Sequence, residues 1–181
     1  KLFLHTSGSS IVGSRDGGEP SDEVYDETTP LTPSPARAAR VALDRDILAA
    51  ADNGVRAVII CPSLIYGLGR GAGRHSVQVP WLIDLARRHQ IARHIGSGGN
   101  IWSNVHIDDV VRLYLLALEQ APAGAFYFAE CGENSMREVC QAISRMLGFG
   151  GATEAMTIED AAGEWGEGPA NDTMGSNSRV R

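Results

Sequence analysis

A cluster of hydroxyl side chains near the start of the chain is the stretch most suggestive of chemistry. The segment HTSGSSIVG, residues 5–13, places Thr6, Ser7, Ser9 and Ser10 directly after the apolar run LFL. That order predicts a buried strand followed by a loop, and such loops are where open α/β sheets bind ligands. The cluster therefore predicts a polar contact to a ligand, although loop hydroxyls also serve to satisfy nearby backbone groups.

Two other motifs with catalytic potential are incomplete. The glycine cluster GLGRGAG, residues 67–73, follows a predicted strand, but the third glycine of a dinucleotide fingerprint is missing. In its three registers that position holds Ala72, Arg74 or Ser76. We predict a flexible loop beside a pocket. No Gly-x-Ser-x-Gly elbow is present to expose a nucleophilic serine, which argues against a hydrolase.

The metal-ligating residue types lack the spacing of a metal site. His106 lies near Asp108 and Asp109, but one of these acids capping a helix is favoured over a metal corner, with His106 packing or lining a cleft. We therefore predict no metal site. Three cysteines with no ligand spacing predict buried, reduced thiols in a cytoplasmic protein: Cys61, Cys131 and Cys140.

Composition narrows the class of partner. The 181 residues include 16 basic and 22 acidic side chains, for a formal charge of −6, which argues against nucleic acid and anionic membranes. No apolar run approaches the roughly 20 residues that span a bilayer. The length predicts one domain, with room for a small second lobe.

The elements that would position these residues begin with a βαβ unit. A strand at 2–7 leads into an exposed loop at 13–35, a helix from about Ala36 to Asn53, and a β-branched strand at 55–61. Gly54 is expected to end the helix. The expected core face of the helix consists of Val41, Leu43, Ile47, Leu48 and Ala51.

The remaining elements alternate helix and strand. We expect a capping box at 135–138 and a weakly specified, mobile polar tail from Gly163. The predicted elements are a helix at 78–89, a strand at 91–95, a helix at 110–121, a strand at 125–130, a helix from 135 that ends at Gly148, and a short helix from 157.

The order of these stretches resembles a known family. LFLHTSGSSIVG, DETTPLTP, GVRAVIICPSLIYGLG and NVHIDDVVRLYLLALE occur in the order found in the second half of extended short-chain dehydrogenases/reductases, the NAD-dependent epimerase/dehydratase family. CPSLIYGLG resembles that family's Arg-Pro-x-x-x-Tyr-Gly-x-Gly segment, with Cys61 in place of Arg. NVHIDD resembles its Val-His-Val-x-Asp helix start. The resemblance covers nearly the whole chain.

The resemblance implies a fold and a cofactor. The expected fold is α/β, the C-terminal part of a Rossmann-like doubly wound parallel sheet plus a small substrate-binding lobe, with the first βαβ units and the dinucleotide-binding loop upstream. The chain is then a segment of a longer protein, and the cofactor is NAD or NADP. The implied division is 1–67 and 105–130 for the sheet domain, 68–104 for a lobe insertion and 131–181 for the C-terminal lobe.

The chain departs from the family at its catalytic positions. Family members use a Ser or Thr together with a Tyr-x-x-x-Lys pair, in which the phenol exchanges a proton and the lysine tunes its pKa. The matching positions hold Gly8, Ala36 and Arg40. Arg40 keeps a positive charge but not the properties of an ammonium. The candidates to take over proton transfer are Ser7, Ser9 and Tyr66.

The resemblance also implies contacts for the remaining site residues. Those expected along the cofactor are Thr6, Ser7, Gly8, Arg40, Pro62, Ser63 and Leu64. Those expected to approach the substrate are Tyr66, Trp81, Asn104, His106 and Arg179. For Trp81, packing within the lobe is the competing interpretation.

Three hypotheses follow. The first is an NAD(P)-dependent epimerase, dehydratase or reductase-like protein acting on a small hydroxylated or carbonyl substrate. The second is a non-catalytic member that binds a dinucleotide or metabolite as a sensor or scaffold. The third is an inactive fragment. We expect a cytoplasmic homodimer, because the helix at 36–53 commonly takes part in dimerisation in this family.

Overall fold

The computed structural model describes residues 1–71 and 73–181, and its first elements form the predicted parallel βαβ unit. Strand β1 (Leu2–Thr6) leads through the long loop to helix α1 (Ala38–Ala49), which returns to strand β2 (Arg56–Pro62). The two strands pair in parallel. A short 3₁₀ turn extends α1 to Asn53, and Gly54 ends it at φ 74°, as predicted.

Helices cover both faces of the central strand of this first sheet, whereas β1 at its edge, which was predicted to be buried, leaves Leu2 and Phe3 exposed. Strand β6 (Ala125–Ala129) pairs in parallel with the other edge of β2. Cys61 of β2 packs with Val41 of α1, whereas Val58 packs with helix α3 (Ile107–Gln120) on the opposite face. Because both faces are covered, β2 is a continuous buried apolar run. The doubly wound, Rossmann-like class is confirmed.

A smaller lobe with two further sheets packs beside this one. In the three-stranded sheet, the middle strand lies between a parallel and an antiparallel neighbour. In the two-stranded sheet, the strands are parallel. The first consists of β3 (Leu64–Tyr66), β5 (Ile101–His106) and β7 (Gly132–Ser135), and the second of β4 (Ala92–Ile95) and β8 (Thr153–Met156).

The lobe has its own apolar core. Leu85, Ile95 and Cys140 lie in its centre, almost entirely inaccessible to solvent. The helices that supply it are α2 (Gln78–His89), α4 (Met136–Met146) and α5 (Ile158–Trp165). The predicted helices near 78–89, 135 and 157 are thus confirmed. Among the described residues, no helix combines the length and the apolarity needed to cross a membrane.

Side-chain caps fix where several helices begin. Ser135 and Glu138 form the predicted capping box of α4. Helix α3 differs from the prediction because it begins at residue 107, and neither Asp108 nor Asp109 is its N-cap. His106 is the cap, and its Nδ1 accepts a hydrogen bond from the Asp108 backbone N–H. An imidazole acceptor replaces the expected carboxylate.

Two details of burial correct the sequence-based expectations. On α1, Leu43 is 49% exposed whereas Asp44 is buried, because the face that meets β2 contains Val41 and the residue three positions later. Cys131 is exposed rather than buried, unlike the other two cysteines. The apolar pattern of an alanine-rich helix leaves its orientation weakly specified, so a single buried carboxylate is easily missed.

The prediction of a weakly specified tail is wrong for residues 174–180. This segment is buried except for Arg179, and it adds a parallel bridge from Ser178 to β5. Asn100 donates to the carbonyls of Met174 and Ser176, and the Trp102 indole also donates to Ser176. Hydrogen-bonded polar residues can be buried, and their composition alone then looks like that of a surface segment.

Candidate functional site

The loop after β1 and helix α1 bring two of the family's catalytic positions together. A Cβ added at Gly8 would lie 3.2 Å from the Arg40 Nη1 atom. The positions that the resemblance assigns to a Ser/Thr and a Lys are therefore neighbours at the carboxyl end of a parallel strand. Ala36 lies in the exposed turn before α1, and its methyl group has no proton to exchange.

Beneath this loop, a buried carboxylate binds Ser7. Ser7 Oγ donates to Asp44 Oδ2 over 2.6 Å, and the Nε2 atom of His5 lies 3.5 Å from Asp44 Oδ1. Burial, and then the Asp44 charge, raise the pKa of the Cys61 thiol, so this thiol is neutral at pH 7. The Ser7 hydroxyl therefore donates its hydrogen bond to the buried Asp44 carboxylate.

Ser9 and Thr6 are also engaged by neighbouring residues. Ser9 is almost fully buried, and Ser178 Oγ lies within hydrogen-bond distance of both its carbonyl, at 2.9 Å, and its hydroxyl, at 3.1 Å. Thr6 Oγ1 hydrogen-bonds the Tyr114 hydroxyl on α3. Sequence reasoning missed Tyr114, because its helical spacing suggests only packing. Of the loop hydroxyls, Thr6 is the most accessible.

The segment Pro62–Leu64 carries the chain from the first sheet to the second. All three residues are buried. Ser63 donates from both its backbone N–H and its Oγ to the Ala129 carbonyl at the end of β6, over 3.0 and 2.9 Å. These bonds fix the carboxyl end of β2 beside the start of β3, where the resemblance expects the cofactor.

Tyr66 and His106 lie side by side on the second sheet. Their strands are parallel with Tyr66 opposite His106, and the ring centroids are 5.3 Å apart at 76°. Gly67 has φ 96°, and a Cβ there would lie 2.5 Å from His106 Nε2. Only glycine fits under the imidazole, so this member of the glycine cluster has a packing role.

The Tyr66 phenol is accessible and protonated at neutral pH. It is 38% exposed. Partial burial, then the neighbouring Cys131 thiol and the Asp109 charge, raise its pKa. A phenol with a raised pKa holds its proton through neutral pH, so it can act as a proton donor.

A cavity of about 280 Å³ opens beside Tyr66. Asn104 Nδ2 donates to Asn134 Oδ1 over 3.1 Å at its wall, which leaves the Asn134 NH₂ group free of that bond. Asn134 was missed by sequence reasoning, since only the antiparallel pairing of β5 with β7 places it there. The lining residues are Leu64, Tyr66, Val79, Trp102, Asn104, Asn134, Met136 and Val139.

Arg179 and Trp81 are held elsewhere. Arg179 donates through Nε and Nη2 to the Glu133 carboxylate, over 3.0 and 2.8 Å. This pairing raises the pKa of Arg179 and lowers that of Glu133. Trp81 packs against the lobe core. Of the residues expected at the substrate, Tyr66 and Asn104 therefore line the cavity and His106 contacts the Tyr66 ring, whereas Trp81 and Arg179 do not line it.

Within residues 1–71 and 73–181, no group of three or more His, Cys, Asp or Glu side chains is arranged to hold a metal ion.

Comparison with known proteins agrees with this architecture. Residues 1–127 match the family described as the NAD dependent epimerase/dehydratase family. An uncharacterized protein of Schizosaccharomyces pombe is 37% identical over 99 residues, which is 54% of this chain and 32% of that protein. An uncharacterized protein of Saccharomyces cerevisiae is 25% identical over 92% of this chain and 51% of its own length. The chain thus spans a third to a half of these relatives.

A solved structure shares the fold. The dTDP-glucose 4,6-dehydratase DesIV of Streptomyces venezuelae, with NAD and TYD bound, superposes with a TM-score of 0.67 at 24% identity, covering 85% of this chain and 47% of that one. The fold and the strand-end site define a Rossmann-like α/β protein. The chain belongs to the NAD dependent epimerase/dehydratase family.

Proposed function

We propose that the complete protein is an NAD(P)-dependent, reductase-like member of this family that acts on a small carbonyl or hydroxylated substrate. The observation that carries the proposal is the contact between Gly8 and Arg40 at the carboxyl end of β1. The Arg40 guanidinium lies directly against Gly8 there, so a fixed positive charge stands at the end of the strand, where the resemblance expects the cofactor.

The residues present fit a dinucleotide at this edge. Arg40 would hold the sugar hydroxyls or a phosphate, as a guanidinium does well. Thr6 and Gly8 would line it on one side, with the Pro62–Leu64 segment on the other. When bound, the reduced cofactor supplies a hydride to a carbonyl carbon.

Tyr66 is the best-supported proton donor of the three candidates. Ser9 is buried against the tail, and Ser7 directs its proton at Asp44. The Tyr66 phenol is accessible, protonated and at the edge of a cavity. It would donate its proton to the carbonyl oxygen as the hydride arrives, and the phenolate would regain a proton from solvent.

The alternative is a non-catalytic member that binds a dinucleotide or metabolite. The replacement of all three family positions by Gly8, Ala36 and Arg40 favours it. A homodimer formed through α1 and a cytoplasmic location stay predictions.

Titration calorimetry of the complete gene product with NADH and NADPH tests the proposal. We expect saturable binding of one of them with an affinity in the micromolar range, and an Arg40→Ala variant that binds more weakly. An exposed arginine on another helix, Arg112→Ala, is the matched control. Absence of binding at about 1 mM, a free energy near −4 kcal/mol, would exclude the proposed cofactor chemistry.

A further inference from the structure

The wall of the cavity beside Tyr66 is mostly apolar and carries no charge among its lining residues. Its volume of about 280 Å³ lies just below the range of roughly 300–1,000 Å³ that is usual for ligand pockets. Three lining residues are polar, and all three lie on the second sheet: Tyr66, Asn104 and Asn134. The other five are Leu64, Val79, Trp102, Met136 and Val139.

Two arginines close to this sheet are held away from the cavity. Side chains alternate along a strand, so Asn134 faces the cavity while its neighbour Glu133 faces away. Arg179 is bound to Glu133 on that far face. Arg74 borders a separate cavity together with Ile65, the β3 residue between Leu64 and Tyr66. A negatively charged group in the cavity would therefore meet no charge of opposite sign among the lining residues.

The N-terminus of helix α4, which is the positive end of its dipole, already has an acidic side chain beside it. Helix α4 begins beside the cavity, since Met136 and Val139 line it. The Glu138 carboxylate already accepts hydrogen bonds from the Ser135 backbone N–H, at 2.8 Å, and from the Ser135 hydroxyl, at 2.9 Å. An acidic side chain at the first turn offsets the dipole that would otherwise favour a bound anion.

We propose that this cavity takes an uncharged and largely apolar carbonyl compound, with its oxygen at Tyr66 and the free Asn134 amide and its hydrocarbon body against the five apolar side chains. The substrate class rests on the proposed function. It differs from the dTDP-glucose in the name of the structurally similar dehydratase. Only three lining side chains are polar, so the hydroxyls of a sugar ring that face this wall would find few partners, and each polar group that loses water without a partner is costly.

Steady-state kinetics with the complete protein and its cofactor test the substrate class. For a series of straight-chain methyl ketones, we expect kcat/KM to rise about fourfold per methylene until the cavity is full. Glucose and dTDP-glucose should be poorer substrates by about 10²-fold or more. A better kcat/KM for either sugar, or no dependence on chain length, overturns the proposal.

A pair of near-isosteric variants tests whether the dependence of kcat/KM on chain length arises in this cavity. Val139→Thr places a hydroxyl in the cavity wall, and we expect it to lower kcat/KM for the longest ketones about tenfold. Val111→Thr makes the same change on the exposed side of α3 and should leave the series unchanged. Equal effects of the two variants would contradict the assignment of this cavity.

Binding without turnover separates this proposal from the proposed function. Trp102 lines the cavity, so its fluorescence reports occupancy by a straight-chain alcohol series even without a cofactor. Absence of NAD(P)H binding together with tight alcohol binding would reject the cofactor chemistry and keep the apolar cavity. Cofactor binding with a preference for glucose over hexanol would reject only the substrate class.

Discussion

The sheet domain and the lobe depart from the family pattern to different degrees. At the end of β1 and the start of α1, the residues that the resemblance matches to the catalytic groups are Gly8, Ala36 and Arg40, and the buried Asp44 carboxylate beneath them accepts a hydrogen bond from Ser7. In the lobe, the segment ending in Tyr66 and the His106 helix start keep the family's spacing, and their rings are in contact. The polar network is buried, whereas the lobe presents an accessible phenol.

If the match of positions is right, this difference indicates that a family motif can keep its place in the fold while the proton-transferring group lies elsewhere. The sheet domain places the Arg40 guanidinium against Gly8, which keeps a positive charge at the end of β1. The lobe keeps a titratable hydroxyl beside a cavity. We propose that Tyr66 in the lobe, and not a residue of α1, donates the proton.

The largest effect should come from removing the Tyr66 hydroxyl. Tyr66→Phe is expected to slow hydride transfer about 10²–10⁴-fold, the usual contribution of a positioned proton donor. Stopped-flow oxidation of NAD(P)H measures this rate, with Tyr127→Phe on β6 as the control. Because the protonated phenol is the active form and its pKa is raised, the wild-type rate should stay flat through neutral pH and fall only in alkaline solution, beyond the range where an ordinary tyrosine titrates. A Tyr66→Phe rate within twofold of wild type would refute this role.

A smaller effect, on the free energy of unfolding, should distinguish the buried Asp44 network of the sheet domain from the exposed surface of the lobe. Asp44→Ala leaves the buried Ser7 hydroxyl without its acceptor, and we expect the free energy of unfolding to fall by about 1–3 kcal/mol. The control is Asp84→Ala, the same substitution on the exposed face of α2. There we expect the free energy of unfolding to change by no more than about 0.5 kcal/mol. Urea unfolding of the complete protein compares them. Equal losses would show that the Asp44 network contributes little.

Much of the fold could be predicted from local pattern. The buried run at 55–61, the Asn-Gly stop and the Ser-x-x-Glu capping box each encode their structure within a few residues, so their elements are confirmed. The buried tail was predicted wrongly, because its burial depends on partners such as Asn100 more than 70 positions away.

The site was predictable only in part, for the same physical reason. Tyr66 and His106 come from motifs, and parallel pairing of their strands places them side by side. Asn134 and Asp44 have no local signal, since only the packing of β7 on β5 and of α1 on β2 gives them their surroundings.

Hydride transfer by the unmodified complete protein, measured beside an Ala36→Tyr/Arg40→Lys double variant, tests the central claim most directly. If proton donation has moved to the lobe, the parent oxidises NAD(P)H with a small ketone, and restoring the family pair changes the rate less than about tenfold. A silent parent that gains turnover when the pair is restored would contradict the account and identify a binding protein that has lost catalysis.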